Sequence, residues 1–174
     1  MSGKVLWLTG LPCSGKTTIS IKLTEIFLEK KINIIYLDND VMRSEGSLNS
    51  DLGFSTKDRE ENIRRIIGLT KLLIEQDINV VVAVISPYKE MRQRARNILG
   101  EGFIEVYIHA PLEVCEKRDV KDMYKKARNG EISNFTGISD PYEEPENPEL
   151  IIETSNQTVE ESVQDILVYI NKHF

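Results

Sequence analysis

Apolar positions along the chain fall into two alternating patterns. Runs of five to eight residues near 3–9, 33–38, 78–85, 103–109 and 149–153 are rich in apolar side chains and read as strands. Between them, stretches near 16–30, 56–76, 88–99, 111–118, 121–128 and 158–172 show the spacing of amphipathic helices. From Val80 to Ile85 every position is apolar, as expected of a central parallel strand covered on both faces. The last helix is the most sharply marked, because Thr158 and Glu161 form a capping box and Val159, Val163, Ile166, Leu167 and Ile170 recur on one face. Strands that alternate with helices make βαβ units, so the pattern predicts an α/β fold: a parallel sheet between two layers of helices. The stretch from 129 to 148 follows neither period and reads as an ordered loop system.

Composition narrows the picture. With 174 residues, 40% of them hydrophobic and 29% charged, the chain suits one domain, 1–174, that buries its core without disulfides or metals. A net charge of −6 argues against a broad nucleic-acid-binding face, so local basic clusters are expected to serve small anions. No run of about 18 apolar residues and no charged leader followed by a long apolar segment is present, which predicts no membrane partner and a cytoplasmic protein. Cys13 and Cys115 read as reduced thiols, and His109 and His173 as structural rather than metal-binding.

The chemistry starts at residues 10–17, Gly-Leu-Pro-Cys-Ser-Gly-Lys-Thr, a G-x-x-x-x-G-K-[ST] loop set between a predicted strand and a predicted helix. Chance produces such a match in less than about one sequence in a hundred at this length. Gly10 and Gly15 let the backbone turn around a polyphosphate, Lys16 reaches the β- and γ-phosphates, and Thr17 offers a hydroxyl to Mg²⁺. The ATP site is therefore read as Gly10, Leu11, Pro12, Cys13, Ser14, Gly15, Lys16, Thr17 and Thr18, in a P-loop kinase fold using ATP and Mg²⁺.

Strand two ends in Asp38-Asn39-Asp40, followed by Arg43. The carboxyl ends of parallel strands gather at the ligand crevice, so both acids should face the phosphate loop. One would hold Mg²⁺ through water, assigned here to Asp38; the other, Asp40, would accept a proton from an attacking hydroxyl; which acid does which stays open at this point. Between Ser55 and Arg65 most charges read as a solvated helix face, with at least one arginine turned inward to hold an anion. Arg118, Lys121, Lys125, Lys126 and Arg128 follow strand four, where small kinases close a basic lid, here about 118–138, over the transferred group; Arg118 and Lys121 would neutralise its charge.

These residues resemble one family, adenylylsulfate kinase, through nearly the whole chain. The resemblance runs through Gly10 to Thr18, Asp38-Asn39-Asp40 with Arg43, Asp51-Leu52-Gly53-Phe54-Ser55, Glu61-Asn62-Ile63-Arg64-Arg65, Ile85-Ser86-Pro87-Tyr88, Phe103 to Val106, Pro111 to Glu116, Tyr124 to Arg128, and Asn134-Phe135-Thr136-Gly137-Ile138 leading to Asp140-Pro141-Tyr142-Glu143. It implies a phosphotransferase acting on an alcohol group, which moves the ATP γ-phosphoryl to the 3′-hydroxyl of adenosine 5′-phosphosulfate. By the same resemblance Phe54 and Phe135 sandwich the acceptor's base, Arg43, Arg65 and Asn62 hold its anionic tail, Ile85 and Ser86 line its pocket with Lys121 and Thr136 beside them, and the protein is a homodimer.

Three departures surround the acceptor, not ATP. The family usually has Asp-Gly-Asp where this chain has Asp38-Asn39-Asp40; the segment from Arg43 to Asp51 is two residues longer; and Ser50 stands where a basic residue is usual. Pocket contacts set discrimination. The acceptor therefore stays open between adenylylsulfate and cytidine diphosphoramidate, which enzymes resembling this family phosphorylate in capsule synthesis. A nucleotide-dependent switch is a third reading, but it has no need of paired acids and a basic lid.

Overall fold

The computed structural model describes residues 3–173. Five parallel strands, β1 (Val5–Thr9), β2 (Ile34–Asp38), β3 (Asn79–Ala83), β4 (Phe103–His109) and β5 (Leu150–Glu153), form one sheet in the order β2-β3-β1-β4-β5. Six of the helices are those the periodicity predicts: α1 (Lys16–Glu29), α3 (Thr56–Ile74), α4 (Lys89–Leu99), α5 (Leu112–Arg118), α6 (Met123–Arg128) and α7 (Val159–His173). The sequence reading missed α2 (Asn39–Met42), which at four residues is too short to show a period; the Asp38 carboxylate starts it by accepting from the backbone N–H of Asp40 and Val41.

Central β1 is buried at all five positions, and its side chains alternate between two cores. Val5 and Trp7 pack with Val80 and Val82 against α3 and α4, where Ile63, Ile66, Ile67, Met91 and Ala95 supply the facing surface. Leu6 and Leu8 pack with Val81, Val106 and Ile108 against α1 and α7, through Ile19, Leu23, Phe27, Val163 and Ile166. A period of two on the strands meets a period near 3.6 on the helices, so each helix needs only one apolar stripe. A smaller third cluster of Ala110, Cys115, Tyr124, Ala127 and Phe135 gives the lid its own anchor.

One polar inlay interrupts the first core and positions the site. Arg92 of α4, 3% exposed, pairs with Glu105 of β4 at 2.9 Å, donates to the carbonyl of Ser86 at 2.7 Å, and also donates to the carbonyl of Glu143. A buried guanidinium is tolerated when it is paired with a carboxylate and hydrogen-bonded. Here it ties the turn after β3 to the strap 140–144, which crosses the top of β1 where the Tyr142 and Thr9 hydroxyls meet at 2.9 Å. The 129–148 stretch is the loop system expected, with Tyr88 donating to Asp140 at 3.0 Å and Thr136 bridged to Asp140.

Candidate active site

At the carboxyl end of β1 the chain must leave the strand, turn and start a helix within a few residues. Gly10 (φ 150°) has no room for a side chain, since a Cβ there would lie 2.3 Å from the carbonyl oxygen of Ile108. Cys13 adopts φ 60°, Gly15 φ 109°, and α1 begins without a side-chain cap, leaving its first N–H groups for an anion. Lys16 is 8% exposed and donates to the carbonyls of Gly10 (2.9 Å) and Leu11 (2.6 Å). Burial pulls its ammonium down to about 8.

The two acids at the end of β2 have different surroundings. Asp38 is buried and fully engaged: Oδ1 accepts from the N–H of Asp40 and Val41, while Oδ2 accepts from Thr17 Oγ1 at 3.0 Å and from the Tyr36 hydroxyl. Asp40, two residues on, has a side chain 65% exposed, and Lys121 of the lid donates to its Oδ2 at 2.6 Å. Thr17 and Asp38 together offer hard oxygen donors of the kind Mg²⁺ takes when phosphates complete its shell. Burial, and then the bond to Asp38, push the Tyr36 phenol well above its usual range, so it remains a donor.

Arg118 clasps the phosphate loop from outside. Its guanidinium donates to Thr154 O at 2.7 Å, to Thr154 Oγ1 at 3.1 Å and, at 3.4 Å, to the carbonyls of Cys13 and Ser14, while Thr154 Oγ1 donates to Ser14 O at 2.7 Å. The Tyr124 hydroxyl donates to Pro12 O at 2.9 Å. The lid is thus pinned to the loop it covers, and Asp119 holds its second helix by accepting from the N–H of Tyr124 and Lys125, each at 3.0 Å. Thr18 is exposed on α1; Arg128 pairs with Glu116, and His109 with Glu153 at 2.6 Å. Among the described residues no cluster of three or more His, Cys, Asp or Glu forms a metal centre.

On the acceptor side the structure revises several assignments. Arg65, expected to hold the anionic tail, pairs with Asp51 (2.6 Å) and Glu61 (2.8 Å) and donates to Leu48 O at 2.8 Å, so it clamps the 44–52 loop to α3. Arg64 is likewise spent on Glu61. The inward arginine is Arg59, which the sequence reading left on the solvated face: it donates to Phe54 O at 3.1 Å, to Thr136 Oγ1 and to Asn134 O, and lies 3.5 Å from Asp140. Arg43 donates to Gly53 O at 2.8 Å with its guanidinium 4.9 Å from the Phe54 ring centre; burial, and then the charge of Arg59, pull it below its ordinary range. Arg43 and Arg59 thus flank Phe54, the first over its ring and the second on its backbone carbonyl.

Phe54 is 56% exposed and borders a cleft of about 380 Å³ with Met123, Ile132 and Asn134 of the lid. Phe135, expected to face Phe54 across the base, is 8% exposed and stands edge-on to Tyr124 at 4.9 Å in the lid's core, and it does not line this cleft. Ser86, expected to line the pocket, is 1% exposed with φ 40°; its hydroxyl accepts from Trp7 Nε1 (3.1 Å) and donates to Thr9 Oγ1 (3.0 Å). The Ser86 side chain is therefore an internal anchor, and only the backbone of this turn, with half-buried Ile85, can face a ligand. Asn62 is buried too, with both ends of its amide bonded to Asn49 and Asn39.

Comparison with known proteins places this arrangement. The sequence profile of a family described as Adenylylsulphate kinase matches residues 2–153. An adenylyl-sulfate kinase of Halothermothrix orenii is 51% identical over 98% of this chain and 90% of its own length, and one of Clostridium acetobutylicum is 50% identical over 98% and 84%. Among solved structures, Mycobacterium tuberculosis APS kinase CysC in complex with AMPPNP and APS superposes with a TM-score of 0.92 at 42% identity, over 98% of each chain. A Sinorhizobium meliloti gluconokinase, 18% identical with a TM-score of 0.66, shares the fold alone.

Proposed function

The chain belongs to the adenylyl-sulfate kinase family, and we propose that it transfers the γ-phosphoryl group of ATP to the ribose 3′-hydroxyl of adenosine 5′-phosphosulfate. The observation that carries the acceptor is Arg43 over the Phe54 ring with Arg59 on the Phe54 carbonyl, two cations for an anionic tail and one exposed aromatic face for a base. The relatives favour adenylylsulfate over cytidine diphosphoramidate as that acceptor.

Phosphoryl transfer needs positioning and charge stabilisation more than covalent help. Lys16 and the loop amides hold the donor's β- and γ-phosphates, and Arg118 braces the loop. Thr17 directly and Asp38 through water would hold Mg²⁺, which would supply positive charge to offset that of the phosphates. Asp38 is held by four donors and faces Thr17, which suits it to the cation side of the site rather than to a substrate proton. Asp40 is the base: it takes the 3′-hydroxyl proton as the oxygen bonds to phosphorus and the bond from phosphorus to the β-bridging oxygen breaks, with ADP leaving. Lys121 steers that carboxylate and offsets charge on the moving group. We extend the proposal to a homodimer, as the resemblance implies, which light scattering reads directly.

The test is a coupled ADP-release assay with ATP and Mg²⁺, offering adenylylsulfate and cytidine diphosphoramidate in parallel. Faster turnover on adenylylsulfate is expected. Preference for the cytidine compound would overturn the acceptor, and ADP release indifferent to both would overturn the transfer itself.

A further inference from the structure

The strap 140–144 lies in no helix and in no strand of the sheet, so its place must be set by bonds from elsewhere. The start of α4 supplies them. Tyr88, at the N-cap, places its hydroxyl 3.0 Å from each carboxylate oxygen of Asp140 and donates to that group. One turn on, Arg92 donates to Glu143 O. The N-cap side chain bonds none of the free N–H groups of α4; instead the Lys89 N–H donates to a Glu143 carboxylate oxygen at 2.7 Å, and the Glu143 N–H donates to Pro87 O at 2.8 Å. Helix and strap therefore cap each other. Between the two grips the Tyr142 ring stacks on Tyr107 at 5.9 Å, with the Arg92 guanidinium 5.6 Å from its centre.

Arg92 is itself rigidly seated. Its partner Glu105 is buried, the Glu105 N–H donates to Glu149 at 2.6 Å, and Arg96 bridges Glu149 (2.6 Å) and Glu105 (3.3 Å). With Nε on Glu105, the fork of the guanidinium sends one nitrogen to Ser86 O and the other to Glu143 O, three directions that a lysine could not serve together. A buried ion pair is a poor source of net stability, since apolar side chains often do as well; bonding two backbone carbonyls is what they could not do. The strap's first residue, Asp140, also lies 3.5 Å from Arg59, whose guanidinium donates to Phe54 O at 3.1 Å. We infer that Arg92 is a positioning residue for the acceptor: seated on Glu105, it fixes the strap so that Asp140, held by Tyr88, sets the Arg59 guanidinium beside Phe54. The inference rests on the kinase reading above for its kinetic test, and has a second readout that does not.

Arg92→Met combined with Glu105→Gln on the whole enzyme removes the pair without leaving a lone buried charge, because Arg96 keeps Glu149. Amide hydrogen exchange of the ligand-free protein should then show the Lys89 and Glu143 N–H groups exchanging about tenfold faster or more, with β1 and β4 as protected as in wild type. Protection lost evenly across the sheet, or unchanged at Lys89 and Glu143, would overturn the inference. In kinetics the double variant should raise the KM for adenylylsulfate about tenfold, with the KM for ATP within about twofold of wild type. Tyr88→Phe leaves the buried pair intact and removes only a half-buried hydroxyl, so it decides the case should the double variant not fold. It should raise the acceptor KM about fivefold, and in an Arg59→Ala background it should add nothing, because both act through one guanidinium. An unchanged acceptor KM, a parallel rise in the KM for ATP, or an additive loss with Arg59→Ala would overturn the inference. A wild-type enzyme inert towards adenylylsulfate would sink only the acceptor assignment, and the exchange pattern would still decide the strap.

Discussion

Lys16 is the place where function and stability are most openly opposed, and Lys16→Met measures the conflict. Burial lowers this ammonium from 10.5 to about 8, a difference worth about 3 kcal/mol against the charged form at pH 7. Methionine fills the same space without charge but leaves the Gly10 and Leu11 carbonyls without the Nζ donor, at about 1 kcal/mol each. The balance predicts a variant about 1 kcal/mol more stable at pH 7, roughly 2–4 °C in Tm for a domain of this size. The pH dependence is the sharper test. Because the folded state holds this proton less tightly, the unfolded chain binds more protons between about 8 and 10.5, and wild-type stability gains from Lys16 as pH rises through that window. The variant lacks that gain, so the stability difference, read by thermal melts of both proteins, should swing by about 3 kcal/mol towards wild type from pH 7 to 10.5. Transfer should fall about 10²–10³-fold in the same variant. Parallel stability curves across the window would refute the burial argument, and near-normal turnover would refute the role of the loop.

Asp40→Asn should cut kcat by about 10²–10⁴-fold with an unchanged melt, since Asp40 is exposed, whereas Asp38→Asn should also lower stability by about 1–3 kcal/mol by setting an amide against hydroxyl donors; equal melts for the two would contradict the division of labour. Arg59→Ala should lower kcat/KM for the acceptor about 10–100-fold while sparing the KM for ATP, and steady-state kinetics with each substrate varied will show whether the loss stays on the acceptor side. Ile66→Ala, at a position 1% exposed under β1 and β3, should cost about 3 kcal/mol, seen as a lower urea midpoint at constant slope; a cost under 1 kcal/mol would mean this face of the core collapses around the gap.

What the chain settles by itself is everything governed by local pattern. Strand and helix limits, the two-faced burial of β3 and the phosphate loop follow from periodicity and from one compact motif, because each depends on residues adjacent in sequence. Periodicity also marks the inward arginine: Arg59 stands four residues before Ile63 and seven before Ile66, on the buried stripe of α3, whereas Arg65 is off it. Other features depended on residues far apart in the chain that meet only when it folds. Thr154 reaches Ser14 across 140 positions, Lys121 reaches Asp40 across 81, and Ser86 is withdrawn into the core because Trp7 and Thr9 lie beneath it. A hydroxyl or a carboxylate reads alike in sequence whether it will bind a substrate or a neighbour. Only the tertiary structure gives Asp38 four donors and Asp40 one lysine, because those partners come from other elements of the fold and from the local turn they share.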